Sequence, residues 1–281
     1  MKKLIFQGLI ISMTIFTNIL SKQTPPITPA KHCPKKTIIF DLGDVVFKTS
    51  KGKQASAILP STLLNPTIIY TMLTTNIRKE LFETLAQLSS TQGDEVNIMY
   101  NQGKPLPQIW SEWMMGQHQS ETLYSNAIVY INQTSYSSNK KKILQKIIQT
   151  VFSPQKLVAS QKPIKNMVKL IKGLKNHGYK LYVLSNWDKE SFPLLEKKHS
   201  DIFKLFDGIM ISGNEGIGKP NPKVYTKLLE QYNLKTSECI FIDDEPYNIK
   251  TAQNLGISSI LKTSMNEVYK ELQKLGVIHT Q

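Results

Sequence analysis

The chain has 281 residues, a formal charge of +14 and 40% hydrophobic residues, so it can bury a proper core in one large domain or two modest ones. The positive charge is almost all lysine. Arg78 is the only arginine, and without the planar guanidinium fork the chain is poorly equipped to read base edges, which argues against nucleic-acid binding.

The first element begins with Lys2 and Lys3 and continues as a largely apolar stretch from Leu4 to Leu20. A short positive start before an apolar run reads as a secretory signal peptide over residues 1–21, cleaved after Ser21, although Ile19 sits where a small residue is preferred. The rivals are an uncleaved membrane anchor over 4–20 and a plain N-terminal helix. In a bacterium a signal peptide would place the protein in the periplasm or outside the cell; otherwise it would be cytoplasmic or membrane-anchored. Residues 22–36, rich in Pro and Lys, read as a linker. The two cysteines, Cys33 and Cys239, lack the number and spacing for a disulfide framework or a metal site.

From Thr37 the run Thr37-Ile38-Ile39-Phe40 is a buried-strand pattern that stops at Asp41, inside Asp41-Leu42-Gly43-Asp44. Between about Ser50 and Lys162 strand alternation is lacking and helix-like spacings dominate, as in Ile77, Leu81, Leu85 and Leu88. The aromatic group Trp110, Trp113 and Tyr124 reads as core of this helical stretch. Lys140-Lys141-Lys142 opens an amphipathic helix, the solvated face of which carries the lysines. Pro163 is expected to start a helix with Ile164, Met167, Val168, Ile171 and Leu174 on one face. Strands follow at Tyr179–Leu184, Gly208–Ile211 and Cys239–Ile242. Pro246 opens a helix closed near Gly256, Ser258–Leu261 is the last strand, and Ser264-Met265-Asn266-Glu267 is a capping box. His177 and His199 read as surface residues near helix ends, and His118 as the one histidine worth testing as a substrate contact.

Strands alternating with helices predict an α/β fold with a Rossmann-like, doubly wound parallel sheet. Segments 37–50 and 163–281 would form that core, with 51–162 inserted as a helical cap over the carboxyl edge, where open α/β sheets keep their ligands.

Four loops lie at that edge: Asp41 to Asp44, Ser185-Asn186, Gly218-Lys219-Pro220-Asn221-Pro222, and Asp243-Asp244. Each alone is bland: an ordinary turn, a surface lysine, or a helix cap. Together they offer a nucleophilic carboxylate, a hydroxyl, one cation and two further acids, a set suited to phosphoryl transfer through an aspartyl-phosphate. Three gathered carboxylates repel one another unless a cation sits among them. Magnesium, which prefers oxygen ligands, is the expected cofactor.

In order and spacing these loops resemble the signature motifs of the haloacid dehalogenase-like hydrolase superfamily, in the subgroup with a helical cap after the first motif. The resemblance implies a magnesium-dependent phosphatase acting on a small phosphorylated metabolite, possibly a sugar phosphate. Asp41 would be nucleophile and metal ligand, Gly43 a carbonyl ligand, and Asp243 and Asp244 the remaining metal-holding acids. Ser185 and the Asn186 amide would bind the phosphoryl group, with Lys219 steadying its charge. The cap stretch Trp113-Met114-Met115-Gly116 and the run Asp-Leu-Gly-X-Val at Asp41 both resemble bacterial sugar-phosphate phosphatases of this group.

Gly43 departs from the common pattern, in which a second Asp stands two residues after the nucleophile as general acid. Its loss matters least for substrates with a good leaving group, such as anomeric sugar phosphates or acyl phosphates. Two other readings stand. A metal-independent 2-haloacid dehalogenase would use the same Asp on carbon, with Arg78 as its test residue, though the Asp243-Asp244 pair would then be a liability. A non-catalytic binding protein could keep the fold, and Gly43 keeps that reading open.

Overall fold

The computed structural model describes residues 36–49, 77–88, 99–100, 104–105 and 108–279. The segment expected as signal peptide or anchor lies outside the described residues. So do the linker up to residue 35, residues 50–76 of the helical stretch and the Arg78 side chain. Among the described residues no helix is long and apolar enough to cross a membrane.

The centre is a five-stranded parallel sheet of β1 (Thr37–Phe40), β2 (Lys180–Ser185), β3 (Gly208–Ile211), β4 (Cys239–Asp243) and β5 (Ser258–Leu261), in spatial order β3-β2-β1-β4-β5. The three central strands, β1, β2 and β4, are short apolar runs buried on both faces, as parallel strands covered by helices must be. Because successive side chains alternate across a sheet, β1 feeds two cores. Ile38 and Phe40 join Leu181, Val183, Ile240 and Ile242 on one face. Helices Lys165–Asn176 and Met265–Lys274 cover that face through Met167, Leu170, Ile171, Leu174, Val268 and Leu272. Ile39 joins Tyr182, Leu184 and Phe241 on the other, under helices Pro222–Gln231 and Pro246–Asn254. Cys239, at the start of β4, is buried as a small apolar residue, and burial pushes its thiol up to about 11.

Strand order reverses between β1 and β4. Crossovers leave β1 to one side and β4 to the other, which opens a crevice at their carboxyl ends. Asp41 follows β1 and Asp243 ends β4, so the topology alone brings these two carboxylates together.

The described helices between Ile77 and Ser160 enclose a third cluster with Leu85, Ile109, Trp113, Leu123, Ala127, Ile131, Leu144 and Ile148. Trp113 is buried there, edge-on to Trp110 at 5.6 Å and to Phe152 at 5.3 Å. The helix after the insert begins at Lys165, two residues later than expected from Pro163. Pro163 instead ends a short strand, Gln161–Pro163, that pairs antiparallel with Phe47–Thr49, and the Ile164 N–H donates to the Val46 carbonyl at 2.9 Å. Proline is tolerated there because a two-stranded ribbon has an open side. His199, expected at the surface, is half-buried: its ring lies 5.0 Å from that of Phe47, and burial lowers its pKa.

Candidate active site

Each loop is held by its own anchors. After β1, Leu42, Val45 and Val46 are fully buried and tie the turn into the core. The Leu42 carbonyl accepts from the N–H groups of Val46 (2.9 Å) and Phe47 (2.8 Å). The Asp41 N–H donates to Ile242 O at 3.0 Å, so the main chain of Asp41 is fixed to β4. Asp44 takes the left-handed turn position, φ 47°, that Asp tolerates better than most residues. It is exposed, and Lys262 Nζ donates to its carbonyl.

At the third loop Lys219 is 2% exposed, and its ammonium lies between two acids, 2.7 Å from Asp41 Oδ1 and 2.6 Å from Asp243 Oδ2. The ring of Phe241, 5.3 Å below, adds a favourable aromatic face. Burial acts to lower the lysine pKa, but the Asp243 and Asp41 charges outweigh it and hold the group above its ordinary value. Asp243 is fully buried and accepts further from Glu245 N (2.8 Å, Oδ1) and from Asn248 Nδ2 (3.0 Å to Oδ1, 3.1 Å to Oδ2). Tyr225 in turn donates its hydroxyl to the Asn248 carbonyl at 3.0 Å.

Asp244 contrasts with its neighbour. Among the described residues no hydrogen-bond donor reaches its carboxylate. Burial first, then the charges of Asp41 and Asp243, push its pKa up to about 8, with Lys219 only partly opposing them. Asp41 is raised to about 6, chiefly by burial and then by Asp243, while Lys219 and a hydrogen bond from Ser185 act the other way. Oxygens of Asp41, Asp243 and Asp244 all lie within 4.8 Å of one another. With all three carboxylates ionised against one ammonium, two negative charges remain, which a divalent cation would match. The donor set therefore fits magnesium.

Asp41, Gly43, Ser185, Asn186, Lys219, Asp243 and Asp244 are all brought to this edge. Ser185 is buried at the end of β2, and its hydroxyl acts to lower the Asp41 pKa. The Asn186 side chain engages the Lys219 main chain, donating from Nδ2 to its carbonyl and accepting at Oδ1 from its N–H, both at 2.8 Å. Gly43 sits beside Asp41 Oδ2. His118 is instead paired with buried Glu112, Nε2 to Oε2 at 2.9 Å. Asn248 and Tyr225 support the site without being among the residues expected from sequence. Asn248 stands in the first turn of the helix opened by Pro246, five residues after Asp243, and an Asn so placed after a strand-end Asp was the available signal.

A parallel 3-2-1-4-5 sheet with acids at its switch point, a buried lysine and an inserted helical segment defines a Rossmann-like hydrolase core. The profile of the haloacid dehalogenase-like hydrolase family matches residues 107–262, and the chain belongs to that family. It is 32% identical over 114 residues to the sesquiterpene phosphatase astK of Aspergillus oryzae, covering 41% of this chain and 58% of that protein. It is also 32% identical over 94 residues to the glyceraldehyde 3-phosphate phosphatase of Pyrococcus furiosus, 31% of this chain and 36% of that one. The chain thus spans less than two thirds of either relative. Among solved structures, the HAD family enzyme bt-2542 of Bacteroides thetaiotaomicron has the same fold, with TM-score 0.53, 15% identity, and coverage of 84% of this chain and 99% of that one. The same enzyme in complex with magnesium and inorganic phosphate matches with TM-score 0.50 and 17% identity, over 80% and 93% of the two chains.

Proposed function

We propose that the chain is a magnesium-dependent phosphatase of small phosphorylated metabolites, with Asp41 as nucleophile. In this reading segments 37–50 and 163–281 form the catalytic core, 51–162 the cap, and residues 1–21 an export signal or anchor. The observation that carries it is the buried Lys219 ammonium bridging Asp41 and Asp243, with Asp244 beside them reached by no donor among the described residues. Structural acids are satisfied by neighbours. An acid held away from donors at a sheet's ligand edge is placed for a cation. The two relatives named for phosphatase activity and the neighbour crystallised with magnesium and phosphate support the same reading.

Asp41 Oδ1 is held by Lys219, while Oδ2 lies on the Gly43 side. Oδ2 attacks phosphorus, the bond to the leaving oxygen breaks, and an aspartyl-phosphate forms. The leaving oxygen takes its proton from solvent, and water then hydrolyses the acyl phosphate to free carboxylate and inorganic phosphate. Lys219 and the Ser185 hydroxyl offset charge on the phosphoryl oxygens, and the Asn186 main-chain N–H is a further donor at the same strand end. Asp41, Asp244 and the Gly43 carbonyl would hold magnesium, with Asp243 behind them. The metal would supply charge neutralisation at the transferring group.

Without an acid at position 43, substrates with good leaving groups are favoured, so acyl phosphates and anomeric sugar phosphates head the panel. The protein should hydrolyse p-nitrophenyl phosphate or acetyl phosphate with magnesium, lose that activity with chelator, and lose it in Asp41→Asn. Turnover that survives chelation or the substitution would overturn the mechanism. Magnesium-independent turnover of 2-haloacids would favour the dehalogenase, and silence across the panel the binding protein.

A further inference from the structure

We infer that Asn186 is the positioning residue for Lys219: its carboxamide grips both polar atoms of the Lys219 main chain and thereby sets where the ammonium stands between Asp41 and Asp243. The kinetic part of this inference rests on the phosphatase reading above; the geometric part does not.

Three observations converge on it. First, the carboxamide meets one residue at both ends. Oδ1 accepts from Lys219 N and Nδ2 donates to Lys219 O, each at 2.8 Å. Only a side chain with a donor and an acceptor on one planar group can do this. Aspartate lacks the donor, and serine has a single polar atom.

Second, Gly218 is fitted to that grip. Its backbone is not left-handed, so conformation does not demand glycine there. A Cβ on Gly218 would lie 2.9 Å from Asn186 Oδ1 and 3.4 Å from its Cγ, so any side chain there would push the carboxamide from its place.

Third, the other side of Lys219 is also fixed. Asn221 caps helix Pro222–Gln231 by accepting from Lys223 N at 3.0 Å. The lysine main chain is therefore strapped before and after, and the buried side chain spans the remaining distance to the acids. The dipeptide ending β2 divides its labour: the Ser185 hydroxyl serves Asp41, and the Asn186 carboxamide serves Lys219.

The test compares native protein with Asn186→Ala, Lys219→Ala, the double variant and Gly218→Ala. Two readouts apply: p-nitrophenyl phosphate kinetics with magnesium, and acylation of Lys219 by acetic anhydride, followed by mass spectrometry of its peptide. Asn186→Ala should lower kcat by about 100-fold, the scale of an ångström-level misplacement of a charged group, with KM little changed. In the Lys219→Ala background it should change kcat less than about twofold, because residues acting through one group are not additive. Lys219 acylation should rise about tenfold in Asn186→Ala, the ratio expected from losing a pair of hydrogen bonds, while other lysines label as before. Gly218→Ala, which pushes the carboxamide aside without removing it, should raise Lys219 labelling in the same way. It decides the matter if Asn186→Ala does not fold. Multiplicative losses in the double variant, a raised KM with kcat intact, or unchanged Lys219 labelling would each overturn the inference. If the native protein hydrolyses nothing, the phosphatase reading falls, and the labelling comparison still decides the role of Asn186.

Discussion

A Cβ built on Gly43 would meet only Asp41 Oδ2, at 3.7 Å, and the backbone there is not left-handed. Neither space nor conformation requires glycine at this position, in contrast to Gly218. The fold would accept an acid where the family commonly has one. Gly43→Asp should therefore raise kcat/KM toward alkyl phosphates by about 10²- to 10⁴-fold, the range for general acid catalysis. Toward acetyl phosphate, whose leaving group needs no proton, the change should stay within a few-fold. The ratio of the two kcat/KM values is the measurement, and an unchanged ratio would show that position 43 does not govern leaving-group preference. At this scale the reactive groups were legible in sequence, because Asp41, Ser185 and Asp243 each stop an apolar run and Lys219 sits in a Gly-Lys-Pro setting. Their supports were not. Asn186 meets Lys219 across 33 residues, and a turn-forming Asn gives no sign of such a partner.

Among elements, the starts of β2 and β3 and the end of helix Lys165–Asn176 meet at one carboxylate. Asp207 accepts from Lys175 Nζ (2.8 Å), Leu181 N (2.9 Å) and Lys180 Nζ (3.1 Å). Its own N–H donates to Leu181 O at 2.7 Å. Burial alone would raise its pKa, but these donors outweigh it and hold the group below its ordinary 3.8. A carboxylate depressed on folding stabilises the native state above its unfolded pKa, and that stability is lost as pH falls through the folded value. Asp207→Asn should cost about 1–2 kcal/mol at pH 7, toward the low end for charged hydrogen bonds because the site keeps some solvent. The difference from native should shrink in urea melts as the pH is taken well below the ordinary 3.8 and through the folded value, where the native carboxylate is itself protonated. An equal loss at both pH values would show that the charge is not the cause. Strands were legible here because apolar β-branched runs need no partner to be recognised. The N-cap half of the expected capping box is present, with Ser264 Oγ accepting from Glu267 N at 3.2 Å. What local pattern could not show was the pairing of Phe47–Thr49 with Gln161–Pro163. That pairing joins segments more than a hundred residues apart and displaces the expected helix start.

For the molecule as a whole, the helical segment and the sheet core meet on the same loops that build the site. Ser212 Oγ donates to Met114 O (2.6 Å) and Lys189 Nζ to Gly116 O (2.7 Å). A Cβ on Gly116 would stand 2.3 Å from Gly213 O, and Gly116 itself is left-handed at φ 71°, so glycine permits this close approach of the two backbones. Glu190 completes the joint: its Oε2 accepts from Ser120 N at 2.7 Å and from the Ser120 hydroxyl. Ser120 opens helix Ser120–Gln133, whose preceding residue, Gln119, supplies no side-chain cap. The first turn of a helix leaves N–H groups without intrahelical partners and carries partial positive charge, so a carboxylate from the core caps it across the interface. Both loops that receive these contacts continue into Asn186 or toward Lys219, so loosening the joint would reach the site through main chain alone. Glu190→Ala should remove a charge-assisted bond of about 1.5–3 kcal/mol, which converts to roughly ten- to a hundredfold faster amide exchange in the first turn of Ser120–Gln133. Exchange in β1 and β4 should be unchanged, because their amides open only with the whole core. Faster exchange spread evenly over the sheet would mean that Glu190 supports global stability instead. No change at the helix start would mean that this carboxylate does not hold the two parts together.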